Sequence, residues 1–139
     1  MDTGLRELLD KLHAHASEND FIDIAYEVIE EIEARDDANE AIGSMLELME
    51  RNPTVDFGMP GPLVHFVEKY YKRGYEEKLV DSVRRLPTKH TLWMLNRVIN
   101  GLREDDRRFF ISVLDSVVER HDIGTEVTEL ANHYKSLHI

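Results

Sequence analysis

At 139 residues, 42 % of them hydrophobic and none of them cysteine, the chain is long enough for one domain with a real core. Its composition is not that of a disordered segment, and it holds neither disulfides nor thiolate metal sites. Acids outnumber Lys and Arg by 28 to 17, and the formal net charge of -11 works against nonspecific binding of nucleic acid by the whole surface.

Apolar residues recur with a helical period almost throughout. A first helix is expected over residues 3–15, with Leu5, Leu8, Leu9 and Leu12 on one side. The run SENDF breaks it, and Asn19 or Asp20 suits the cap of a second helix over residues 20–34. In that second helix Phe21, Ile24, Ala25, Val28, Ile29 and Ile32 share one face at about 100° per residue. Asp23, Tyr26, Glu27, Glu30 and Glu33 lie on the other face. RDDAN ends it, and a third helix over residues 37–51 buries Ile42, Met45, Leu46 and Met49.

NPTVDFGMPGP is a loop dense in Pro and Gly. Pro62 fits the first turn of the next helix, where its missing N–H costs little. That helix, over residues 62–73, is expected to bury Leu63, Phe66, Val67 and Tyr70, with Gly74 as its C-terminal cap. A short helix over residues 75–85 is stopped by Pro87. Thr88 caps the following helix, which runs to about residue 102 and is closed by Gly101. REDDRR opens a long amphipathic helix over residues 104–121, and Gly124 and Thr125 separate it from the last, over residues 126–137.

The fold class is therefore all-α, with about eight helices and no convincing strand alternation. Short links favour antiparallel hairpins, stacked as a HEAT-like α-solenoid or gathered into a compact helical bundle. One all-helical domain over residues 1–139 is expected, the 52–61 loop being the one place that separates an acidic first half from the rest. No apolar run approaches the roughly 20 residues needed to cross a bilayer. The opening MDTGLRELLDKLHAH has acids and no uninterrupted apolar stretch, so it does not read as a secretory signal. The cytoplasm is the simplest location.

The charge is unevenly spread. Residues 1–40 hold 13 acids and 3 bases, a net of -10, whereas residues 61–110 hold 7 acids and 11 bases, a net of +4. An acidic patch steers basic partners and speeds their encounter. Asp23, Glu27, Glu30 and Glu33, with Glu31, Asp36, Asp37 and Glu40 close by, read either as a solvated face that aids solubility or as a docking surface for a basic protein. In the helix after Pro87, Trp93 falls among Lys89, His90, Asn96, Arg97 and Asn100, apart from the apolar arc of Leu92, Met94, Leu95, Val98, Ile99 and Leu102. Trp93 and Arg97 are residue types enriched at interface hot spots, but a tryptophan in this place also packs against neighbouring helices.

Chemical signatures are lacking. There is no cysteine nucleophile, no G-x-S-x-G, no H-E-x-x-H, no Walker loop and no calcium loop, so neither catalytic residues nor a metal or cofactor are expected. An enzyme using His90 or His65 with carboxylates is the weakest of the readings. The basic residues between Lys69 and Arg108 have Glu68, Glu76, Glu77 and Asp81 interleaved, so nucleic acid is not the expected partner either.

GPLVHFVEKYYKRGYEEKLVDSVRRLPTKHTLWMLNRVING, residues 61–101, resembles small helical immunity proteins of bacterial toxin systems, chiefly through GPLVHFVE and PTKHTLWMLNR. The resemblance covers under a third of the chain and carries no contact residue across. It implies a cytoplasmic, non-enzymatic protein. In contact-dependent inhibition and related polymorphic toxin systems, such proteins bind a cognate toxin domain and block its active site or substrate cleft. A basic toxin, such as a nuclease that must hold phosphates, is the implied partner. Asp23, Tyr26, Glu27, Glu30, Glu33, Asp37, Trp93 and Arg97 are the candidate partner-binding residues. A general helical-repeat adaptor without a toxin partner is the alternative.

Overall fold

A computed structural model describes residues 1–58 and 60–138. Among the described residues the chain is all-α: α1 (Thr3–Ala14), α2 (Phe21–Glu33), a 3-10 turn (Ala38–Ala41), α3 (Ile42–Arg51), α4 (Pro62–Glu68), α5 (Tyr75–Arg85), α6 (Lys89–Asn100), α7 (Glu104–Val118) and α8 (Thr125–Ser136). The chain divides into two compact units, Met1–Tyr75 and Glu76–Ile139. The division falls at the start of α5 and not in the 52–61 loop.

In the first unit, α2 packs against α1 and α4, and α3 touches α1 and α4. Leu5, Leu9 and Leu12 supply the apolar stripe of α1. Phe21, Ala25, Val28, Ile29 and Ile32 supply that of α2, each no more than 5 % exposed. Burial of Phe21, Val28, Ile29 and Ile32 stabilises the unit by roughly 1.5–3 kcal/mol apiece before entropy is counted. Leu8 and Ile24, expected inside, are only half-buried because they sit at the edges of these stripes. The loop contributes to the core as well. Phe57 is buried and meets the Phe21 ring edge-on at 5.4 Å between centroids. Gly61 passes so close to the Phe57 carbonyl that a Cβ would lie 1.8 Å from its oxygen, and only glycine fits there.

Three boundaries differ from expectation for local reasons. The third helix begins as a 3-10 turn, with the Glu40 N–H donating to Asp37 O at 2.9 Å, and becomes α-helical only at Ile42. The fourth ends at Glu68 instead of residue 73. The N–H groups of Lys69, Tyr70 and Tyr71 donate three residues back, and Lys72 takes φ 63°, which no α-helix continues. Tyr70 accordingly leaves the core and is half-buried, with its ring against Phe66 on one side and the Arg73 guanidinium on another. The seventh ends at Val118, where Arg120 turns its side chain to Asp122 and to the Arg84 carbonyl.

In the second unit α7 and α8 pack along each other, and α6 contacts both. α6 begins where Pro87 and Thr88 place it. Thr88 Oγ1 accepts from the Thr91 N–H at 3.2 Å, and Thr91 Oγ1 accepts from the Thr88 N–H at 3.1 Å. This reciprocal cap uses threonine where glutamate or glutamine is usual, and both threonines are buried. At the other end Gly101 is the C-cap in right-handed geometry, φ -84°, which any residue adopts. Thr88→Ala is expected to cost about 1–2 kcal/mol in urea denaturation, since it removes a buried cap. Gly101→Ala should cost much less.

Candidate protein-binding surface

The buried stripe of α2 dictates which way its remaining residues point. With that stripe held between α1 and α4, Asp23, Tyr26, Glu27, Glu30 and Glu33 face solvent, as expected. The structure adds Ile22. It stands one turn before Tyr26 on the same arc, and the two are 39 % and 53 % exposed, respectively. A large aliphatic and an aromatic side chain thus sit beside the carboxylates, and the exposed face of α2 is amphipathic rather than purely charged. The i to i+4 spacing of Ile22 and Tyr26 was visible in the sequence, but the neighbouring Phe21 takes the buried place.

The acids of this region are not equivalent. The Glu33 carboxylate is ion-paired with the Lys69 ammonium. Asp37 is half-buried and takes two bonds from the Arg35 guanidinium, at 2.9 and 3.3 Å. Arg35 Nη2 also donates to Asp2 Oδ1 at 2.6 Å, and that same oxygen accepts from the Gly4 N–H at 2.8 Å to cap α1. Arg35 and Lys69 therefore compensate the acids at one end of the face. Among the described residues Asp23, Glu27 and Glu30 have no cationic partner within ion-pair distance. The accessible site contracts to Ile22, Asp23, Tyr26, Glu27 and Glu30, with Glu33 and Asp37 already engaged.

The charge of the two units makes the same contrast. Residues 1–75 hold 17 acids and 7 bases, a net of -10, and residues 76–139 hold 11 acids and 10 bases, a net of -1. The net negative charge of the chain lies almost wholly in the unit that carries α2. Trp93 and Arg97 belong to the other unit. Trp93 is half-buried, and the exposed Arg97 lays its guanidinium 4.8 Å from the centre of the indole.

Several histidines have structural partners. His13 Nε2 lies 3.0 Å from Ser44 Oγ, His15 contacts Glu18, and His138 Nε2 lies 2.6 Å from Asn96 Oδ1. Among the described residues no three His, Asp or Glu side chains converge on a point where a metal ion fits. No described helix is long and apolar enough to cross a membrane. Compared with protein-family models, with curated proteins and with solved structures, the chain matches none.

The Asp2 carboxyl is held below its ordinary value of 3.8, first by the Gly4 N–H and next by Arg35. A depressed carboxyl stabilises the fold fully above its unfolded pKa and loses that contribution as pH falls through the folded one. The excess stability of the wild type over Asp2→Asn should therefore be constant near neutrality and shrink below about pH 4. Urea midpoints of the two proteins across that range measure it.

Proposed function

We infer that the chain is an immunity protein, a non-enzymatic cytoplasmic inhibitor that binds a cognate bacterial toxin domain and occludes its active site or substrate cleft. The outward face of α2 is the docking surface, and a basic toxin, in the first instance a nuclease, is the partner. The observation that carries this reading is the face itself: three carboxylates without cationic partners, grouped around a half-exposed tyrosine and isoleucine, on a helix whose other side holds a buried apolar stripe. A solvated face made for solubility does not require Ile22 and Tyr26 outside, whereas an interface uses an aromatic anchor inside a polar rim. The likeness of residues 61–101 to immunity proteins supports the same class.

The test is direct. The chain is co-expressed with the products of the genes that neighbour its own, and any complex is purified and assayed for loss of the neighbour's toxic activity at equimolar ratio. A one-to-one complex that is inactive supports the inhibitor. A complex that leaves the toxin active, or no complex with any encoded neighbour, favours the helical-repeat adaptor instead.

A further inference from the structure

The second unit carries a cluster of arginines around a cleft of its own. Arg107 and Ile111 lie one turn apart on one side of α7, Arg103 is the N-cap residue just before it, and Arg108 stands beside them. Together with the end of α8 they line an open cleft of about 710 Å³. Arg107 Nε donates to the Leu102 carbonyl at 3.0 Å, which fixes the base of its guanidinium beside the cleft. Elsewhere in this unit two cations pair with acids, Arg120 with Asp122 at 2.7 Å and Lys135 with Asp115 at 2.6 Å. Among the described residues none of the three arginines of the cleft has an acid within ion-pair distance, although the chain carries 28 of them. Glu104 alone brings a carboxylate to the lining. The positive field reaches His138 on the opposite wall, whose pKa is lowered first by burial and then by the charge of Arg107.

We propose that this cleft binds a small phosphomonoester. Three guanidinium groups less the Glu104 carboxylate leave a charge near +2, which matches a phosphomonoester of about -1.5 to -2 at neutral pH. Planar guanidinium forks bind phosphate oxygens in pairs, and His138 adds a neutral ring at the wall. Leu102, Ile111 and Leu137 are the apolar part of the lining and face the organic portion of the ligand. The size lies within the range of small-molecule sites, about 300–1,000 Å³. Glu104, Asp105 and Asp106 crowd the first turn of α7, all exposed, so a polyanion running on past the cleft meets acids. The ligand is compact.

Phenyl phosphate is the probe, titrated into the full chain at constant ionic strength and followed by amide chemical shifts. Saturable one-to-one shifts are expected at residues 102–111 and 137–138, with a Kd of about 1 mM or tighter. Arg103→Gln with Arg108→Gln should weaken it about tenfold or more, at unchanged melting temperature, because neither side chain holds the fold together. Inorganic phosphate should bind more weakly, for want of the ring. Lack of saturation by about 10 mM, equal affinity in the double variant, or tighter binding of a single-stranded oligonucleotide through the same residues overturns the proposal.

Discussion

Replacing Asp23, Glu27 and Glu30 together by lysine should slow association with the proposed toxin partner by about 100-fold at low salt. The three carboxylates are exposed and have no cationic partner in the free protein, so their loss leaves the buried side of α2 untouched. What changes is the long-range attraction toward a basic partner, and that term lives in the association rate. It is screened by salt. Near 0.5 M, where the Debye length is about 4 Å, wild type and variant should associate within about threefold of each other. Tyr26→Ala should act in the opposite kinetic place. An anchor of this kind contributes about 1.5–2 kcal/mol, a 10- to 30-fold rise in dissociation rate with little effect on association. Stopped-flow measurement at two salt concentrations separates the two effects, and rates unchanged in both variants would rule this face out as the docking surface.

Phe57→Ala should cost about 3–5 kcal/mol in urea denaturation, more than any substitution on the exposed side of α2. The ring is 2 % exposed and lies edge-on to Phe21, the first residue of α2. Domains of this size are stable by about 5–15 kcal/mol, so the variant should sit near the threshold of folding at 37 °C. Part of the loss is specific to the aromatic pair, for which a double-mutant cycle with Phe21→Ala should return a coupling near 1 kcal/mol. A cost below about 1 kcal/mol would mean that the 52–61 loop only covers the core and does not help to build it. Because Phe21 precedes Ile22 and Asp23, loosening the loop should also weaken binding at the α2 face.

The parts legible in the sequence are those that depend on near neighbours. Eight helices, the outward set on α2 and the Thr88 cap all follow from spacing within four residues, and the structure has them. The losses came from contacts far along the chain. Glu33 and Lys69 are 36 residues apart, and Arg35 reaches back 33 residues to Asp2. Which acids stay accessible is decided by those pairs, and no periodicity reveals them. The early end of α4 was hidden for a different reason. A lysine at φ 63° gives no compositional warning, and Tyr70, in register with Phe66, looks like a core residue until the chain turns. The cleft on α7 depends on both kinds of contact: Arg107 and Ile111 are four residues apart in the sequence, but its second wall comes from the end of α8.

One property of α2 carries a consequence for how this protein can change. Its last turns hold Glu30, Glu31 and Glu33 and no base, so carboxylates stand at the negative end of the helix dipole. Each such placement opposes helix formation by about 0.3–1 kcal/mol, and only Glu33 has a lysine against it. Selection for heat resistance alone would therefore replace Glu30 with glutamine or lysine within a few rounds, and melting temperature would rise. The same survivors would have lost a carboxylate from the accessible face. If α2 is the docking surface proposed above, thermostability and recognition pull this helix in opposite directions, and a screen that scores both should find them anticorrelated at residue 30 and uncorrelated at Arg6, an exposed residue of α1.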